Sequence, residues 1–539
     1  MLVDCQRRIL GLLLILSFCM ALLGLKLFKI QILQGAALSQ QAVRQRALGL
    51  VILDGRGDIQ DRYGRSLLDS RHEVGLAAFP AQYRGREDDI LQSLNHIHGI
   101  EKIAAPPYGV LPFWVSTVLS DGFTPALGNL PGLIPAPNPR RYGPGMLATH
   151  LIGYMDSEGR GVSGIERAFD DALSRGQKTV LAALVDRRNR LIPGLGYRIR
   201  KSDTYSHNLV LSLDGGLQRE VEQVMDRYIQ QGAVVIMDPW NGDILAMASR
   251  PNFHAGSLSD YLQAAQEPLV NRALSDYQPG SVFKTVVAAA ALEEGLVTLF
   301  QTFQCNGGVN IDDLFITCSN LHQKQEITLV EAFAHSCNSV FIELALELGA
   351  EKMEKYARIF GFGAPTGLPV GESAGLLPAP EDLANRRALA NMAIGQGDLQ
   401  ATPLQVAAMM AAVANGGRQI KPRLVLDVVD SSGRKLRHYW PQQGGSILSP
   451  ATINKLKYLL QAVAEQGTGR PAGLSSLAPA GMKTGTAESG RGRTYNYWAA
   501  GFYPLDKPKA VVVVFADEFK GGSAAQVFGE IVRLMINNQ

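Results

Sequence analysis

The hydrophobic pattern divides the chain before any motif is considered. Residues Ile9 to Leu25 carry no charge and are dominated by Leu, with Arg7 and Arg8 before them and Lys26 and Lys29 after. The run falls a little short of the ~20 residues that cross a bilayer, and Leu27, Phe28 and snorkelling lysines extend it. This predicts a transmembrane anchor over 9–28, with 1–8 as a cytoplasmic tail. A cleaved signal peptide is the rival, kept open by Gly35-Ala36-Ala37 although no clear A-x-A site follows. The basic residues are too evenly split to set orientation by charge. A single uncleaved anchor is the reading adopted.

From 29 to 206 the pattern is mixed. Extended stretches alternate with turn clusters such as Asp61-Arg62-Tyr63-Gly64, and a Pro/Gly-rich passage runs from Pro106 to Pro144. This predicts an irregular, strand-rich α+β pedestal. After His207 regular α/β signals begin, so 207–539 reads as a second domain. Ala233–Met237 and Ile244–Ser249 are apolar runs around Asn241-Gly242, a hairpin signal. Three further runs, Ala480–Ala487, Tyr497–Tyr503 and Ala510–Ala516, complete a predicted five-stranded antiparallel sheet. An all-helical middle is expected to pack on it. Thr328 with Glu331 and Thr402 with Gln405 are capping boxes, and Ser449-Pro450 repeats the cap-plus-Pro start. Asn415-Gly416-Gly417 and Gly467 are stops, and a helix over about 525–536 ends the chain.

Composition narrows the class without naming it. The length of 539 residues fits about two to four domains, and 46% hydrophobic with 19% charged residues suits packed cores. A net charge of +3 gives no electrostatic case for nucleic acid. The nine histidines form no HExxH and the cysteines no CxxC, so no metal site or cofactor is expected. No phosphate loop of the GxxxxGK[ST] type occurs. Cys305 and Cys318 can form a disulfide outside the cytoplasm or remain two free thiols, and the sequence leaves both open.

The candidate chemistry lies in three short strings: Ser281-Val-Phe-Lys284, Ser336-Cys-Asn338 and Lys483-Thr-Gly485. A serine hydroxyl is a poor nucleophile at neutral pH and needs a base, a proton relay and donors for an oxyanion. Pro279-Gly280 turns the chain into a helix headed by Ser281, and Lys284 lies one turn on, on the same face. Lys284 acts as base only with its pKa lowered by burial and a second cation, for which Lys483 is the candidate. Ser336 suits a proton relay, and Asn338 suits orienting Lys284 and a substrate carbonyl. Gly485 leaves the 480–487 strand bare for an added substrate strand. Thr484 and Thr486 hydroxyls would hold a substrate carboxylate, and the amides of Thr486 and Ser281 the oxyanion. Each string alone is weak. His335 reads as a helix end.

The ordered set resembles the penicillin-binding protein and serine β-lactamase superfamily. Tyr277-Gln-Pro-Gly-Ser-Val-Phe-Lys284 and Asn391-Met-Ala-Ile-Gly-Gln-Gly397 with Thr402-Pro-Leu-Gln405 are similar to class B penicillin-binding proteins. So are Arg56-Gly57-Asp-Ile-Gln-Asp61-Arg62-Tyr-Gly64, Arg141-Tyr142, His150–Tyr154 and Gly164-Ile-Glu166 in the pedestal. The resemblance implies a single-pass plasma-membrane D,D-transpeptidase with its bulk outside the cytoplasm, cross-linking peptidoglycan stem peptides through a Ser281 acyl-enzyme. It also implies acylation by β-lactams, and a SEDS-type glycosyltransferase partner working on lipid II. The alternatives are a β-lactamase or D,D-carboxypeptidase that passes the acyl group to water, a β-lactam sensor, and a silent scaffold activating a glycosyltransferase.

Overall fold

The computed structural model describes residues 2–35, 47–53, 55–95, 111–116, 130–176, 178–186, 188–192, 196–200, 206–318, 326–474, 479–488 and 495–537. Much of the Pro/Gly-rich passage expected between 106 and 144 lies outside them. The contacts divide the chain into two compact units.

The smaller unit takes residues 1–55, 72–140 and 177–203. It starts with the helix Leu2–Phe28, and Arg7–Leu33 is long and apolar enough to cross a membrane, with a mean hydropathy of 2.4. Two three-stranded sheets follow. One orders Ala47–Leu53, Thr179–Leu184 and Tyr197–Arg200; the other orders Phe113–Ser116, Arg71–Ala78 and Leu133–Arg140. Leu76, Ala78, Tyr83, Ile90, Leu94 and Val115 bury a small core under the helix Glu87–Asn95.

The larger unit takes 56–71, 141–176 and 204–539, so the boundary expected at 206 is crossed by two segments. The reason is core formation. Ile59, Leu67, Leu68, Leu151, Ile152 and Ile165 are buried in the same cluster as the main sheet. Ile59–Gln60 also adds a parallel strand beside Asn208–Leu211, which pairs with Val425–Val429 and through it with Lys435–His438. Short apolar segments far apart in sequence gain more by joining a large core than by making their own.

The main sheet is five-stranded and antiparallel, ordered Ile244–Arg250, Ile229–Met237, Ala510–Phe519, Tyr495–Tyr503, Gly481–Glu488. Ala510 to Ala516 are all buried, so both faces of the central strand are covered. Helix Pro403–Ala414 packs on the three central strands, and helix Ala524–Asn537 packs on the sheet beside Gly215–Tyr228. Both capping boxes form as the sequence dictates: Thr328 Oγ1 accepts from Glu331 N at 3.2 Å, and Thr402 Oγ1 from Gln405 N at 3.0 Å. The middle is not all-helical. Gly308–Ile311 pairs with Leu314–Thr317, Thr302–Gln304 with Glu326–Thr328, and Arg418–Ile420 with Gln443–Ser446. These strands are three or four residues long, too short for a period-2 pattern to stand out.

Candidate active site

The site begins at a turn that only glycine fits. Gly280 holds φ at +56°, and its amide donates to Gly395 O at 2.9 Å. A Cβ on Gly280 would lie 2.9 Å from Thr486 O and 3.2 Å from Thr486 N, so its absence lets the turn touch the Gly481–Glu488 strand. The chain then makes one 3-10 turn, Gly280–Phe283, and continues as helix Lys284–Glu293. Three residues per turn keep Ser281 and Lys284 on one face.

Two buried ammonium groups meet at one hydroxyl. Lys284 Nζ donates to Ser336 O at 2.7 Å, to Asn338 Oδ1 at 2.7 Å and to Ser336 Oγ at 3.3 Å. Lys483 Nζ donates to the same Ser336 Oγ at 3.0 Å and to Thr484 O at 2.9 Å. Phe341 and Phe333 lie 5.7 and 5.6 Å from the two nitrogens. Among the described residues neither lysine has a carboxylate partner. Burial therefore lowers Lys284 to about 7, an effect that nearby Cys337 and Cys318 partly oppose. Burial, reinforced by the Lys284 charge, also holds Lys483 well below the ordinary lysine range.

Lys284 shares a face with Ser281, but no hydrogen bond between them is among those the described residues make. The ammonium turns instead to a carbonyl and an amide oxygen, stronger acceptors than a hydroxyl. Ser336 sits at φ +61°, a left-handed conformation costing about 1–3 kcal/mol in a non-glycine residue. It links helix Leu329–Ala334 to helix Asn338–Leu348, with His335 as the C-cap of the first. Asn338 is held from the other side, its Nδ2 donating to Thr317 O at 2.7 Å.

These elements open into a groove of about 280 Å³ lined by Ser281, Ser336, Thr484, Gly485 and Thr486, among others. Its wall is the outermost strand of the sheet, which no further strand pairs among the described residues. Strand alternation puts Thr484 and Thr486 on one face and buries Lys483 and Gly485 on the other. Gly485 lines the groove through its backbone, while the side chain it lacks would point at the nucleophile turn. A Cβ there would meet Pro279 O at 2.9 Å and Val282 Cγ2 at 3.1 Å, so the glycine serves the nucleophile turn. Thr468, Tyr497 and Trp498 also line the groove and were missed. Thr468 Oγ1 bonds Thr484 Oγ1, and Trp498 Nε1 donates to Gln278 O at 2.9 Å. Gly467 reads only as a helix stop, and the Gly467-Thr-Gly469 tripeptide is the available signal.

The disulfide held open between Cys305 and Cys318 is not formed. Both thiols are free, with the sulfurs 3.7 Å apart and Cys337 beside them. A bonded pair needs about 2.05 Å.

The Arg56–Gly64 and Glu166 residues form a separate buried network in the same unit. Arg56 Nε meets Glu166 Oε2 at 2.7 Å and its Nη1 meets Asp170 Oδ1 at 2.6 Å, while Arg141 Nε takes Glu166 Oε1 at 2.6 Å. Gly57 N donates to Leu173 O at 2.9 Å, and Gly64 N to Asp61 O at 3.0 Å. Burial pushes the Asp61 carboxyl up, but Arg65 and the amides of Arg65 and Tyr63 outweigh it and leave it below the usual range. Arg62 reaches Asp243 at 3.1 Å, which Arg423 holds at 2.6 Å, tying this segment to the turn after Met237.

Residues 232–533 match the family model of the penicillin binding protein transpeptidase domain. Stage V sporulation protein D of Bacillus subtilis is 29% identical over 98% of this chain and 85% of its own length. Peptidoglycan D,D-transpeptidase FtsI of Escherichia coli K12 is 30% identical over 75% of this chain and 68% of its own. A chain from a solved peptidoglycan synthase complex, one that coordinates polymerization and crosslinking, superposes with a TM-score of 0.72. It is 27% identical over 98% of this chain and 97% of that one. The matched span holds all three motifs and the lysine pair, and the chain belongs to the class B penicillin-binding protein transpeptidases.

Proposed function

We propose that this chain is a peptidoglycan D,D-transpeptidase acting through an acyl-enzyme on Ser281. The observation that carries this reading is the convergence of Lys284 and Lys483 on Ser336 Oγ, at 3.3 and 3.0 Å, beside Ser281 in one groove. Neutral Lys284 takes the Ser281 proton as Oγ attacks the penultimate D-Ala carbonyl of a stem peptide. The proton passes by way of Ser336 Oγ to the departing D-Ala amine. Thr486 N, whose strand lies against Gly280, pairs with Ser281 N as oxyanion donor. Thr484 and Thr486 hold the terminal carboxylate with help from the Lys483 charge, and Asn338 keeps Lys284 in place. An amine from a second stem peptide then attacks the ester and frees Ser281.

A β-lactam fits the same groove and acylates the same oxygen. We infer further that Leu2–Phe28 anchors the protein in the plasma membrane with the catalytic unit outside the cytoplasm. The partner we propose is a SEDS-type glycosyltransferase that polymerises lipid II.

Labelling the full chain with a fluorescent penicillin, then assaying cross-linking on glycan made from lipid II by the candidate glycosyltransferase, tests the proposal. Stable label on wild type, none on Ser281→Ala and cross-linked product only from wild type are expected. Label shed within seconds identifies a hydrolase instead, and stable label without cross-linking contradicts the transpeptidase reading.

A further inference from the structure

Three sulfurs lie behind the Ser336–Asn338 loop, and the chemistry above uses none of them. Cys305 precedes the Gly308–Ile311 strand, Cys318 follows its partner Leu314–Thr317, and Cys337 is the N-cap of helix Asn338–Leu348. All three are buried and free. The Sγ atoms form a near-equilateral triangle: Cys305 to Cys318 is 3.7 Å, Cys318 to Cys337 3.7 Å, and Cys337 to Cys305 3.5 Å. Ser339 Oγ caps two corners, 3.2 Å from Cys318 and 3.5 Å from Cys305.

We propose that Cys305, Cys318 and Cys337 form a binding site for a soft or borderline d10 cation, with zinc the natural occupant. Tetrahedral zinc with Zn–S bonds of about 2.3 Å sets ligand sulfurs about 3.8 Å apart, close to the edges of this triangle. A disulfide brings together only two sulfurs and gives the third no reason to stand equidistant. The fourth position faces Ser339 Oγ, which leaves room for that hydroxyl or a water. On binding, each thiol gives its proton to water and one metal–sulfur bond forms in its place, with no change in oxidation state. Three thiolates and a dication sum to one negative charge.

Such a metal would staple the 308–317 hairpin to the head of the Asn338 helix. The loop it fixes holds Ser336 in its left-handed conformation, so the site braces the proton relay from behind. The spacing of the cysteines hides it, because they come from three separate segments and make no CxxC.

Cobalt titration of the reduced, metal-free full chain in detergent tests this. One equivalent of Co²⁺ should produce a thiolate-to-cobalt charge-transfer band that zinc abolishes. Cys305→Ser and Cys318→Ser should each weaken zinc binding more than about 100-fold, since losing a ligand exceeds losing an outer-shell partner. Cys19→Ser, in the anchor helix, should change nothing. Melting of the metal-free variants shows that they fold, and the wild-type titration stands if they do not. No band at one equivalent, undiminished binding by a folded Cys305→Ser, or a disulfide between any two of the three in protein isolated without reductant would overturn the proposal.

Discussion

Two buried polar clusters in the larger unit are built on opposite principles. Around Glu166, Arg56 and Arg141 surround one carboxylate, with Asp170 taking the spare guanidinium nitrogen, so charge is balanced and every bond is short. Around Ser336, two lysines share neutral acceptors with no carboxylate paired to either among the described residues. The first cluster holds distant segments together. The second keeps an amine near the point of losing its proton, which a carboxylate would prevent. Balanced charge marks the scaffold here, and unbalanced charge marks the chemistry.

Removing the nucleophile should have the largest effect. Ser281→Ala is expected to cut penicillin acylation by at least about 10⁴-fold, read by intact-protein mass spectrometry, with an unchanged melting curve. Replacing the base follows: Lys284→Met should slow acylation by about 10²–10⁴-fold. Giving Lys284 a carboxylate sharpens the comparison. Asn338→Asp would pair its ammonium with a charge, so the pH at which acylation reaches half its maximum should move up by about 1–3 units.

Breaking the balanced cluster should do the reverse. Glu166→Gln leaves two guanidiniums without their shared charge and should cost about 3–5 kcal/mol of stability in denaturant unfolding. Acylation per folded molecule should persist, and its loss at full folding would dissolve the distinction between the clusters. The smallest effect tests the frame alone: Thr402→Ala removes one capping box and should cost about 1 kcal/mol with acylation unchanged.

Local chemistry was readable in the chain, and long-range chemistry less so. The five strands follow from apolar runs and an Asn-Gly turn, and the capping boxes from residue spacing three apart. The motifs named both lysines whose ammonium groups bond Ser336 Oγ. What one dimension hid was approach. Nothing local says that Ile59 joins the sheet of residues 208–211, since that pairing spans 150 positions in sequence (209 minus 59). Gly485 reads as room for a substrate strand, and its missing side chain also makes room for Pro279 and Val282. Thr468 reaches the groove through a turn whose only signal was two glycines. Lys284 lies one turn from Ser281 as expected, but its bonds go to the better acceptors of another helix junction.

The pH dependence of acylation bears most directly on the central claim that Lys284 is a buried, nearly neutral base. With its pKa lowered to about 7, the protonated, inactive form should dominate below that value and the neutral form above it. The second-order rate constant for penicillin acylation of the full chain should therefore climb as pH passes through about 7 and level off well before pH 10. A rate that stays flat from pH 5 to 9, or that rises only near the ordinary lysine value of about 10.4, would contradict the account.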